Sequence, residues 1–253
     1  QEKAADFHER WVLGYGHGSV AEHAVVHLAV ENVSRLACDT LEDNRLGSYT
    51  EKSSRYQVMA QDHFYFPEEL SSDLELGKLY TQACQNLFRE YLDFIDCTID
   101  HLRIVNPKRE KESDSAYNMR LRRFATDSCR AVLPAATLTN VGVTANARVL
   151  EHAISKLLSS GLDEERDLGK ELAERGREIT PTLIKYADRN PYLAHIPDGQ
   201  IALTNMNLPE ATAQESGSEQ QARVRLAHWD AQAVEKIAAA ILYRHSGLGY
   251  EDV

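Results

Sequence analysis

Between Leu70 and Leu102 the apolar residues Leu74, Leu79, Cys84, Leu87, Tyr91, Phe94, Ile95 and Ile99 recur at helical spacing. A stripe of this length predicts one extended amphipathic helix, broken at most once, and the chain must bury it against other elements. A second helix is expected over Glu110 to Val132, with Pro134 closing it because proline cannot continue a helix interior. Ala145 to Ser159 reads as a third, ended by Gly161, and Asp163 to Tyr186 as a fourth, capped by Asp163 and interrupted at Thr180-Pro181. A helix-like segment also follows Gln1. His23 to Glu31 is β-branched and partly alternating, and reads as a strand.

Composition narrows the function. The 253 residues, 43% hydrophobic and 26% charged, suffice for one large domain or two smaller ones. Twenty-eight basic against 39 acidic residues give a net charge of −11, which argues against a broad nucleic-acid or anionic-membrane footprint. Any phosphate ligand must therefore be met by local arginines. No apolar run approaches the roughly 20 residues that span a bilayer, and no signal peptide opens the chain, so a cytoplasmic protein with no membrane partner is expected. Cys38, Cys84, Cys97 and Cys129 are widely spaced, with no His-rich cluster near them. They read as reduced core thiols, and no metal site is expected.

The chemistry concentrates in Arg45 to Tyr56, R-L-G-S-Y-T-E-K-S-S-R-Y, which sets two arginines, a glutamate and several hydroxyls close together. Such a segment can hold a phosphate and a polar heterocycle, because the planar guanidinium fork binds phosphate through paired charge-assisted hydrogen bonds. The stretch from Ser34-Arg35 to Tyr56 resembles the signature of the flavin-dependent thymidylate synthases: Ser-Arg, then Arg-His-Arg-x-x-Ser-x-Asn-Glu-x-Ser-x-Arg-Tyr. Arg45, Ser48, Glu51, Ser53, Arg55 and Tyr56 fall on that pattern without a gap. Gly16-His17-Gly18-Ser19-Val20-Ala21-Glu22-His23 resembles the family's Gly-His-x-Ser-x-x-Glu-His element, which lines the flavin pocket. Arg130, in Cys129-Arg130-Ala131-Val132-Leu133-Pro134, matches an arginine that reaches the nucleotide, commonly across a subunit boundary, and Asn146-Ala147-Arg148 matches a flavin-binding triplet.

The resemblance covers roughly residues 1 to 190 and implies an α/β fold, a largely antiparallel sheet packed against long helices. It implies FAD as cofactor, NADPH and methylenetetrahydrofolate as co-substrates, and methylation of dUMP to dTMP. Glu51, Ser53, Arg55 and Arg130 become the candidate substrate-binding residues. His17, Ser19, Arg45, Glu51, Asn146 and Arg148 become the candidate flavin-binding residues. No protein nucleophile is needed in that scheme, so no catalytic side chain is assigned.

Several positions depart from the pattern. Asp43 and Asn44 stand where the family has Arg-His, and Thr50 where it has Asn. A carboxylate near flavin phosphates would repel them and weaken binding. Leu157 falls where an arginine holds the pyrimidine, His152 where an Asn meets the flavin, and Thr40 where the family has Gln. Three readings stay open: a synthase completing its sites with a second copy, a non-catalytic nucleotide-binding or structural copy supporting an active partner, and an enzyme accepting another nucleotide through Leu157 and Thr40.

Residues 1–204 read as the divergent synthase-like domain and 205–222, polar and rich in Ser, Glu and Gln, as a linker. The strand-to-helix pattern in 223–253 resembles the opening of the same family, as if a second copy began there. Circular permutation and a chance match of a common pattern are the alternatives. Sites between subunits of a homo-oligomer, or between tandem copies, are expected on the same resemblance.

Overall fold

Three antiparallel strands organise the molecule: β1 (Val25–Ser34), β2 (Ser48–Glu51) and β3 (Leu138–Asn146), with β3 in the middle. The computed structural model describes residues 2–14, 18–207 and 228–246. β1 pairs with β3 from Val25 opposite Asn146 to Ser34 opposite Leu138, and β2 pairs with the same strand from Ser48 opposite Thr144 to Glu51 opposite Val141. The β1 register shifts between Val30 and Val33 at a bulge, where Asn32 takes a φ of 58° and its N–H donates to Asn140 Oδ1 at 2.9 Å. Asparagine tolerates that left-handed backbone better than most residues.

Along β3, Thr139, Val141, Val143 and Ala145 alternate into the interior, the period of two that a half-buried strand requires. That face packs on α2 (Arg35–Glu42), α5 (Ala147–Leu158) and α6 (Asp163–Ile179) around a core that includes Val26, Leu41, Leu150, Ile154, Leu157 and Leu172. Ser34 starts α2 by accepting from the Ala37 N–H at 3.0 Å, and Asn146 starts α5 by accepting from the Val149 N–H at 2.9 Å. α5 and α6 approach closely at Gly169, where a built Cβ would lie 3.0 Å from Leu157 Cβ.

The predicted long helix is a single unbroken α3 (Leu74–Val105), capped by Asp73, whose Oδ1 accepts from the Glu75 and Leu76 N–H groups. It packs on α4 (Asp114–Cys129), and a second core forms from Phe88, Tyr91, Ile95, Ala125, Cys129 and Met59. α4 starts four residues later than expected because Ser113 caps it, and it tightens into a short 3₁₀ turn at Arg130–Val132 ahead of Pro134. An N-terminal helix, α1 (Glu2–Phe7), runs on as a π turn over His8–Leu13.

Some expectations required correction. The helix expected from Ala145 begins at Ala147, since Ala145 and Asn146 still belong to β3. Asp163 is the first residue of α6 and pairs with Arg166, while Leu162 holds the cap position without a side-chain hydrogen bond. α6 ends at Ile179, ahead of Thr180-Pro181. Cys38, Cys84 and Cys129 are buried thiols as expected, but Cys97 is exposed.

Residues 1–203 group into one compact unit and 204–253 into another. α7 (Pro191–Asn207), which the sequence patterns did not predict, runs into the stretch read as a linker, whose remainder lies outside the described residues. In the second unit α8 (Ala233–Ser246) supplies the expected helix. The strand expected ahead of it falls mostly outside the described residues, and His228 to Asp230 have no regular structure.

Leu157 is fully buried. Leu157→Ala is expected to lower unfolding free energy by roughly 2–5 kcal/mol, the usual result of emptying a packed leucine site. Denaturant titration of the two proteins measures it, and a change below about 1 kcal/mol would show that the α5–α6 seam does not carry the load assigned to it.

Candidate functional site

The two arms of the arginine-and-hydroxyl segment leave opposite ends of β2 and reach different places. The upstream arm turns at Asn44, which is buried. Its side chain donates to the Leu41 carbonyl at 2.8 Å, and its own carbonyl accepts from Gly47 N–H at 2.9 Å and Tyr49 OH at 3.1 Å. That turn presents Arg45 to a cavity of about 690 Å³, shared with Asp43, Asn146, Arg148, His152 and Glu22. Three of the sequence-predicted flavin residues, Arg45, Asn146 and Arg148, thus line one cavity at the N-terminal end of α5. Ser19 is exposed on the neighbouring 3₁₀ turn Gly18–His23, whose Gly18 backbone passes close to Arg148: a Cβ built there would lie 3.8 Å from Arg148 Nε. His17 lies outside the described residues.

Charges around this cavity are largely paired. Arg148 Nη1 donates to Glu22 Oε1 at 2.5 Å, and Lys156 pairs with Asp43. Arg45 makes no side-chain hydrogen bond or ion pair among the described residues. The Lys156 ammonium, through a hydrogen bond and its charge, holds the Asp43 carboxyl below its ordinary range. This corrects the expected effect of Asp43. The carboxylate is exposed and neutralised by Lys156, so its field at the cavity is screened by solvent and by its partner.

The downstream arm reaches α4. Ser53 Oγ accepts from the Arg55 N–H at 3.3 Å, closing a turn, and Thr126 Oγ1 donates to the Arg55 carbonyl at 2.6 Å. The side chains of Arg55 and Arg130 then converge: their Nε atoms lie 3.4 and 3.1 Å from the same atom, Asp127 Oδ1. Arg130 also lines a depression of about 300 Å³ with Arg35, Asp39 and Ser54. Glu51 is engaged internally, accepting from Arg35 Nη1 at 2.8 Å and from Thr139 Oγ1 at 3.0 Å, and so fixes Arg35 beside Arg130. Of the substrate-binding candidates, Arg55 and Arg130 come together, while Ser53 and Glu51 hold the arm that carries them.

Two positions do not face a ligand. Leu157 is in the core, and Thr40 Oγ1 donates to Glu165 Oε1 at 2.7 Å, where Glu165 is 5% exposed. Both are engaged within the fold, Leu157 in the core and Thr40 with a buried carboxylate, which weakens the altered-specificity reading built on them. Residues absent from the sequence-based assignment also take part: Asp127, Arg35, Glu22 and Lys156. Asp127 was detectable as an acid three residues before Arg130 on a helix, a spacing at which side chains meet. The Asp43–Lys156 pair joins residues too far apart in sequence for any local pattern to reveal.

The sequence matches the Thy1 family, thymidylate synthase complementing protein, over residues 1–182. The chain belongs to this family. Among curated relatives, the "UPF0159 protein" of Chlamydia muridarum is 32% identical, with all of this chain aligned to 49% of that protein. The chain therefore spans about half the length of that relative, and the same share of the Chlamydia pneumoniae one. The flavin-dependent thymidylate synthase of Clostridium tetani is 27% identical, covering 80% of this chain and 81% of that one. Among solved structures, the flavin-dependent thymidylate synthase ThyX of Helicobacter pylori, complexed with FAD and dUMP, aligns with a TM-score of 0.50 at 19% identity, over 75% of this chain and 85% of that chain. That likeness supports the antiparallel sheet and long helices expected from the sequence.

Asp43 gains stability from Lys156 above the pKa of an unfolded aspartate, and that gain is lost as pH falls through the lowered folded value. Lys156→Met should raise the Asp43 carboxyl back to the ordinary aspartate range, followed by carboxyl-carbon NMR. An unchanged titration midpoint would show that another group sets it.

Proposed function

We propose that this chain is a flavin-dependent thymidylate synthase homologue that takes part in methylating dUMP to dTMP, with methylenetetrahydrofolate as one-carbon donor, and that shares its sites with a second copy. The observation that carries the reading is the convergence of Arg55 and Arg130, from distant parts of the chain, on one carboxylate oxygen. A phosphate oxygen has the same charge and hydrogen-bonding character as that carboxylate oxygen. Among the described residues each guanidinium meets only Asp127, through its Nε, so the remaining nitrogens of both forks can still donate to a ligand.

The cavity of about 690 Å³ is within the range of small-molecule sites, and its donor set suits a flavin nucleotide. Among the described residues Arg45 has no charge partner, and Asn146 uses only its amide oxygen, which caps α5, leaving its N–H₂ without a partner there. The N-terminus of a helix of 12 residues adds a favourable field for an anion. FAD reduced by NADPH would supply the hydride chemistry there. The chain's own residues bind and orient: Arg45 and Arg148 meet negative charge, Asn146 donates to a polar edge, and Arg55 with Arg130 fixes the nucleotide phosphate. In this copy the arginine expected to hold the pyrimidine is absent, so a second copy would supply it. Room for that copy is supported by the chlamydial relatives, of which this chain spans 49%. We place its opening in 223–253, after a linker in 205–222.

A second reading is a nucleotide-binding or structural copy that supports an active partner. The burial of Leu157 favours it, since no cationic group replaces the missing arginine at that position. Turnover of the assembly after replacing Arg55 or Arg130 by Ala separates the two: the synthase reading expects a large loss, and a supporting copy a change within a few-fold. The synthase reading predicts a loss of dUMP affinity of tenfold to a hundredfold, from a charge-assisted contact worth roughly 1.5–3 kcal/mol, measured by calorimetric titration. It also predicts flavin absorbance in the purified assembly. Unchanged affinity in both variants would reject the cradle.

A further inference from the structure

We infer that Asp127 is a resident competitor for the nucleotide phosphate: it occupies the anion position between Arg55 and Arg130 and must be displaced when dUMP or another phosphate ligand enters. The inference rests on the cradle proposed above. Asp127 sits in the last turn of α4, and both ion pairs use the same oxygen, Oδ1, at 3.4 and 3.1 Å. An anion accepting from two guanidinium groups at once marks where their fields add, which is where a phosphate oxygen would gain most.

The contact is built to be released. The side chains of Arg55 and Asp127 remain 60% and 53% exposed, so the ion pair between them is solvated and weak, as exposed pairs generally are. Neither pair meets the geometry of an aligned hydrogen bond, and Asp127 Oδ2 has no partner among the described residues. By contrast, the Arg55 backbone is tied down independently by the fully buried Thr126, which donates to its carbonyl at 2.6 Å. Removing the Asp127 charge should therefore leave the arm in place and free the guanidinium groups.

Charge balance gives the competitor its consequence. Around the depression Arg35 is neutralised by Glu51, and Arg55 and Arg130 share Asp127, with Asp39 lining the same depression. Only a ligand that outcompetes a monovalent carboxylate gains entry. A phosphate monoester, with its higher charge, can do so, whereas a nucleoside without phosphate or a simple carboxylate cannot.

The test is calorimetric titration of the full chain and its Asp127→Asn variant with dUMP, inorganic phosphate and deoxyuridine at fixed low salt. Asn keeps the size and removes the charge. The expected result is three- to tenfold tighter binding of dUMP and phosphate by the variant, no change for deoxyuridine, and an unchanged unfolding midpoint. Equal or weaker phosphate binding by the variant, with Arg55→Ala and Arg130→Ala still damaging, would overturn the competitor and leave the cradle standing. Failure of both proteins to bind either phosphate ligand would overturn the cradle and the competitor together.

Discussion

Everything around the candidate sites depends on the pairing of Ser48–Glu51 with the central strand, locked at its end by the Glu51 carboxylate. That carboxylate accepts from Thr139 of β3 and Arg35 of α2, and so ties three elements at one point. Its side chain is 23% exposed and Arg35's is 30% exposed, so the bond is partly shielded from water and from salt. With β2 held, the residues before it must run to the N-terminal end of α5, and those after it must run to the last turn of α4. One short segment thereby serves two cavities, and the sheet decides which arginine goes to which.

The fold gathers two clusters of polar side chains. Arg45, Asn146 and Arg148 stand together, and Arg55 stands with Arg130, although each set is assembled from distant parts of the sequence. Asp43 has Lys156 as a counter-charge, so a carboxylate that looks hostile to an anion is balanced within the same chain. Leu157 belongs to the hydrophobic core that α5 and α6 share.

The sequence disclosed the long helix because α3 carries its apolar stripe over 32 residues, far more than chance periodicity would produce. It disclosed β1 for a similar reason, through branched side chains in alternation. It concealed β2, which has only four residues, most of them polar, and is stabilised by its neighbour rather than by its own propensity. It concealed β3 because its alternation of Thr139, Val141, Val143 and Ala145 runs straight into a helix, and the Asn146 cap separating the two is a single residue. Motif residues were readable in the site because they keep a fixed spacing. Lys156 was not, since its importance comes from the carboxylate it meets after folding, and Asp127 showed only as an acid one helical turn ahead of Arg130.

On the proposed reading, the arm that follows β2 carries Arg55 to a phosphate cradle shared with Arg130. A crystal structure of the chain grown with dUMP tests it most directly. The account predicts phosphate oxygens within about 3 Å of the guanidinium nitrogens of both Arg55 and Arg130, with Asp127 Oδ1 moved off its present contacts. A nucleotide bound elsewhere, with both arginines still resting on Asp127, would contradict it.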